Sequence, residues 1–61
     1  MEYKVVWYER NSITDAVELL ESRVQKDIDR GFEPIGSVSL MVTSYGACTV
    51  AQAMVRQEVG K

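Results

Sequence analysis

The stretch Thr49–Gln57, TVAQAMVRQ, decides how this chain is read. It alternates as a strand does, yet both of its faces are apolar: Ala51, Ala53 and Val55 on one, Val50 and Met54 on the other. Such a strand belongs in the middle of a sheet and needs cover above and below. The rest of the chain must supply that cover, or another molecule must.

Upstream, SYGA at residues 44–47 reads as a hairpin turn, with Gly46 free to take positive φ. Before it, GFEPIGSVSLMVTS alternates from Ser37 onward. Val38, Leu40 and Val42 face one way; Ser37, Ser39, Met41 and Thr43 face the other. Pro34 lacks an N–H and so belongs at the beginning or on the edge of a strand. Further back, SITDAVELLESRVQKDIDRG carries Ile13, Val17, Leu20, Val24 and Ile28 at helical spacing, widened by Ala16 and Leu19. Ser12 or Thr14 caps its start and Gly31 supplies its C′ position. Arg23 and Asp27 form an i,i+4 pair. At the N-terminus YKVVWY, residues 3–8, is strand-like, with Tyr3, Val5 and Trp7 on one face and Lys4, Val6 and Tyr8 on the other.

The order is therefore β-α-β-β, a single α+β domain over residues 1–61. A right-handed crossover makes the first two strands parallel, and the hairpin makes the third antiparallel to the second. The economical sheet order is 1-3-2, with the third strand central and running from about Ala47 to Glu58; the VGK end is expected to fray. One helix covers one face. Tyr3, Val5, Trp7, Val38, Leu40, Val42, Ala51 and Ala53 are expected beneath it, because small central residues let a helix approach. The reverse orientation of the last strand stays open. Val6, Tyr8, Met41, Val50 and Met54, with Lys4, Gln52 and Arg56, are then left on the open face.

A chain of 61 residues buries only ~60% of the surface its unfolded form exposes, so domains of this size draw on disulfides, metals or partner subunits. One cysteine, Cys48, permits no internal disulfide, and the absence of histidine disfavours a structural zinc. No cofactor is expected. Association with another copy is the remaining remedy, a homodimer being the simplest. Val6, Tyr8, Met41, Val50, Gln52 and Met54 are the expected interface.

Seven basic against nine acidic residues give a net charge of −2, with no basic stripe for nucleic acid. MEYKVVWYER lacks signal-peptide organisation, and no stretch has the ~20 apolar residues of a membrane span. These features lead us to expect a cytoplasmic protein.

The YKVV start, the helix ending in RGFEPIGSVSL and the QAMV of the last strand resemble the small bacterial and phage proteins grouped as "domain of unknown function 1737", with a looser likeness to the relative numbered 4177. The likeness runs over nearly the whole chain, although Phe32 stands where that family often has tryptophan. It implies the β-α-β-β fold and brings no catalytic residues. A chain of this length and order is also similar to tautomerase subunits, which use an N-terminal proline as base. Met1 and Glu2 stand here instead, and the one proline is Pro34.

Catalysis finds little support. Cys48 has no histidine to lower its pKa. Asp15, Glu18 and Glu21 sit beside or opposite the helical stripe, where they are expected to be solvated. SYG is one glycine in a hairpin, not a phosphate loop opening a helix. The expected function is a non-enzymatic, homo-oligomeric module that contacts a protein partner. The alternative is a binder of a small anionic, nucleotide-like ligand, of the kind a phage uses to sequester a signal. Its pocket would lie between subunits and use Lys4, Tyr8, Tyr45 and Arg56, because an aromatic beside a cation holds a planar anion.

Overall fold

The computed structural model describes residues 1–57. β1 (Glu2–Arg10), α1 (Ile13–Asp29), β2 (Glu33–Val42) and β3 (Cys48–Arg56) follow in chain order. The sheet order is β1-β3-β2, with β3 antiparallel to both neighbours. This is the α+β arrangement that the sequence pattern predicts. β3 ends at Arg56; Glu58, expected to close it, and residues 59–61, expected to fray, lie outside the described residues.

Local chemistry fixes both ends of the helix. Ser12 is the N-cap, in extended backbone with φ −124° and ψ 132°. Its carbonyl accepts the Ala16 N–H at 3.0 Å, and its Oγ accepts the Asp15 N–H at 3.5 Å. At the other end the Gly31 N–H donates to the Ile28 carbonyl at 2.9 Å and the Phe32 N–H to the Asp27 carbonyl at 3.0 Å. That pair of bonds is a Schellman motif, which needs a left-handed residue at C′. Gly31 supplies it at φ +95°. The motif reverses the chain and drops Phe32 into the core.

Relative to β1 and β3 the helix lies on the opposite face of the sheet from the expected one; relative to β2 it lies on the expected side, that of Val38, Leu40 and Val42. The buried apolar cluster is Val6, Ala16, Leu20, Phe32, Val50 and Met54, with Tyr8, Val17 and Val24 packed against it. Tyr3, Val5 and Trp7, expected beneath the helix, are exposed instead. Ala51 and Ala53 pair with Trp7 and Val5 and share their outward face. Two polar residues, Lys4 and Gln52, lie on the face that the helix covers, and both find partners inside. Lys4 reaches Asp27 on the helix at 2.9 Å. Gln52 donates to the Ile35 carbonyl at 2.8 Å and the Ala53 carbonyl at 3.0 Å. With Lys4 and Gln52 paired, the larger residues Val6, Val50 and Met54 fill the space under the helix, and the alanines face out.

β2 runs along one edge, as Pro34 requires. Its register breaks between Ile35 and Ser39, which face Ala53 and Ala51. Two extra residues are accommodated there, an even number, so alternation resumes on the same face. Gly36 takes φ +70° in this bulge, and the Gln52 amide supplies a donor to the carbonyl at its start. The helix packs over β1 and β3 and barely touches β2. All ten residues of β2 are exposed. Leu40 and Val42, which pair with Val50 and Cys48, thus lie on the helix side of the sheet without being covered.

Candidate interaction surfaces

The open face of the sheet is built row by row from the register. Tyr3, Val55 and Glu33 form one row; Val5, Ala53 and Ile35 the next; Trp7, Ala51 and Ser39 a third; Glu9, Thr49 and Met41 the last. The two alanines on the central strand leave a shallow trough, walled by Val5 and Trp7 on one side and Ile35 on the other. Tyr3, Val5, Trp7, Ile35 and Met41 are all exposed, Trp7 to 60%. An apolar surface of this breadth is uncommon on a protein that works alone.

A second apolar opening lies on the helix side, where α1 leaves β2 bare. Val17, Leu20, Val24, Pro34, Val38 and Gln52 line a groove of 610 Å³. On the β1 side of the helix two further hollows share Leu19 and Ser22. One, of 390 Å³, gathers Arg23, Lys26 and Arg30 beside Tyr8. The other gathers Asp15 and Glu18 beside Arg10.

The charged cluster at the closed end is structural. Asp27 is fully buried, held by Lys4 at 2.9 Å and by Arg23 at 3.4 Å. Its Oδ2 lies within ion-pair reach of Arg23 but receives no hydrogen bond. Burial pushes the Asp27 carboxyl pKa up. The hydrogen bond and charge of Lys4, together with the charge of Arg23, outweigh that and hold it below the ordinary aspartate value of 3.8. Phe32 lies between two cations, with Lys4 Nζ 4.2 Å and Arg56 Cζ 4.5 Å from its ring centre. Arg56 also pairs with Glu2 and donates to the Arg30 carbonyl at 3.2 Å.

Lys4, Tyr8, Tyr45 and Arg56 therefore do not converge within one chain. Lys4 and Arg56 do come together, but around Phe32, with their charges engaged by Asp27 and Glu2. Tyr8 sits farther along β1, opposite Val50. Tyr45 lies at the hairpin tip, 93% exposed, beyond the end of the sheet where Arg10 pairs with Cys48. Of the residues expected at an oligomer interface, Val6, Val50, Gln52 and Met54 are buried beneath the helix, and Tyr8 is half-buried there. Met41 alone lies on the open face. Cys48 is buried, and Asp15, Glu18 and Glu21 are exposed.

The sequence carried a signal for Asp27 beyond its pairing with Arg23. Asp27 falls seven residues after Leu20 and three after Val24, inside the apolar stripe rather than opposite it. An acid there needs a cation beside it, and the half-buried Lys4 on the neighbouring strand is that cation.

Among the described residues no group of three histidine, cysteine or acidic side chains could hold a metal ion, and no helix is long and apolar enough to cross a membrane. The chain matches no protein-family model, no curated protein and no solved structure.

Proposed function

We propose that this chain is a non-enzymatic, homo-oligomeric interaction module, in its simplest form a dimer, that offers its open sheet face to a protein partner. The observation that carries the reading is the exposure of Tyr3, Val5, Trp7, Ile35 and Met41 together on that face. Water contact with these side chains forfeits roughly 25 cal/mol for each Å² that a partner could cover. Among the described residues, none covers that face. Sedimentation equilibrium tests the assembly: the expected result is a dimer at micromolar concentration, and a stable monomer overturns it.

The small-anion alternative draws on a different set from the one expected, namely Tyr8 with Arg23, Lys26 and Arg30 around one hollow that no carboxylate lines. Thermal shift against a panel of nucleotides and inorganic phosphate tests it. Stabilisation that grows with ligand concentration supports a binder, and a flat response removes it.

A further inference from the structure

We infer that the unpaired edge of β1 is where two copies of this chain join, strand to strand and antiparallel, about a two-fold axis through Val6. This joint rests on the homo-oligomeric reading above and gives its self-contact a place. It leaves the open sheet face free for a different partner.

The sheet has two edges, and they differ. β2 carries Pro34, which has no N–H to donate, and its ladder is broken by the bulge between Ile35 and Ser39. Both devices blunt an edge against further pairing. β1 runs from Glu2 to Arg10 in unbroken register with β3, and among the described residues no strand pairs with its other side. A row of backbone donors and acceptors is therefore available there.

The charges on β1 select a register. A two-fold axis perpendicular to the sheet keeps each face on its own side, so the axis must pass through a residue. Centred on Val6, the pairing sets Glu2 opposite the partner's Arg10, Lys4 opposite the partner's Tyr8 and Val5 opposite the partner's Trp7. Opposite charges in such positions stabilise a strand pair. Centred on Trp7, it sets the partner's Arg10 beside Lys4, whose charge Asp27 already engages, and leaves Glu2 beyond the paired segment with no cation opposite it. Centred on Val5, it leaves Arg10 beyond the paired segment.

The helix repeats the same logic independently. Along the β1 side of α1 the N-terminal half presents Asp15 and Glu18, and the C-terminal half presents Lys26 and Arg30. The proposed axis reverses one helix against the other, so each acidic end meets the partner's basic end. Ser22 lies midway between Glu18 and Lys26 and is shared by both hollows. Spacing also fits. Strands lie about 4.8 Å apart and α1 rides over β1 and β3, which places the two helices about 10 Å apart, within reach of ordinary helix packing. A small anion would use only the basic half of this trough; a second copy uses both halves.

The test exchanges charges at two exposed positions, neither of them in the core nor an ion-pair partner of Asp27. Glu18→Lys and Lys26→Glu, each alone, place like charges across the axis in both symmetry-related contacts. Each is expected to weaken the dimer about tenfold. An equimolar mixture of the two variants restores opposite charges and is expected to form a heterodimer; so is the double variant with itself. Hydrogen exchange on the unaltered protein supplies a second measurement. Amides on the outer edge of β1 are expected to gain protection as concentration rises, while those of β2 do not. If the protein dimerises but neither charge exchange nor β1 protection follows, the edge assignment falls and the oligomer stands. If the protein stays monomeric, both fall.

Discussion

Lys4 Nζ stands 2.9 Å from Asp27 Oδ1, across the gap between the first strand and the last turns of the helix. The contact forms only with the face of the sheet that bears Lys4 turned toward the helix. Removing one partner of a buried ion pair leaves the other charged and dehydrated, which is costlier than losing both. Lys4→Ala is expected to destabilise the fold by about 3 kcal/mol, the low end of the usual range because Arg23 still faces the carboxylate. The double variant Lys4→Met with Asp27→Leu is expected to recover most of that loss. Urea denaturation of both variants checks the pair, and a negligible effect of Lys4→Ala would show that the contact does not hold the helix down.

Asp27 also sets how the fold responds to acid. Its folded-state pKa lies below the ordinary value of 3.8. Between the two values the unfolded chain binds more protons than the folded one, so stability rises with pH there. The contribution is complete above the ordinary value and disappears as pH falls through the folded-state value. Denaturation midpoints are expected to be insensitive to this group near neutrality and to drop in strong acid. In Asp27→Asn this component of the acid slope is expected to vanish. An unchanged slope would assign acid sensitivity to other carboxylates.

Element order, sheet order and the edge position of Pro34 were legible because each rests on local pattern: alternation, helical spacing, and a residue without an N–H. The face was not legible from apolar counts, since β1 and β3 carry apolar residues on both sides. What separates the faces is pairing between distant residues. Asp27 and Lys4 are twenty-three positions apart, and Gln52 is satisfied by a bulge in β2 whose two extra residues no alternation pattern revealed. Read one strand at a time, Lys4 and Gln52 look like surface residues. Read with their partners, they mark the inside. Four of the six side chains expected at an interface, Val6, Val50, Gln52 and Met54, are therefore buried under the helix, while Met41 lies on the open face because β2 keeps its alternation after the bulge.

Gly31 closes the helix in the left-handed region at φ +95°. A Cβ there would meet Arg56 Cδ at 3.5 Å, an ordinary contact, so space is not the constraint. The backbone conformation is. Gly31→Ala is expected to lose about 1–2 kcal/mol, and Gly31→Asn less, because asparagine tolerates this conformation better. Thermal or urea melts of the two variants give the comparison. Equal losses would mean that the Arg56 contact, not φ, sets the requirement.

Trp7 and Met54 lie on opposite faces of the sheet, and their substitutions distinguish the two ways of placing the helix. Met54 is fully buried, so Met54→Ala is expected to cost about 2–5 kcal/mol by loss of contacts and by the cavity left behind. Trp7 is 60% exposed. Trp7→Lys is therefore expected to cost less than about 1 kcal/mol, as substitutions outside the core do. It is also expected to reduce binding of a hydrophobic dye such as ANS, because the tryptophan is the largest side chain of the open face. Circular dichroism follows unfolding in both variants, since Trp7 is the only tryptophan. The opposite ranking, with Trp7→Lys severe and Met54→Ala mild, would put Trp7 beneath the helix and remove the apolar face on which the proposed partner depends.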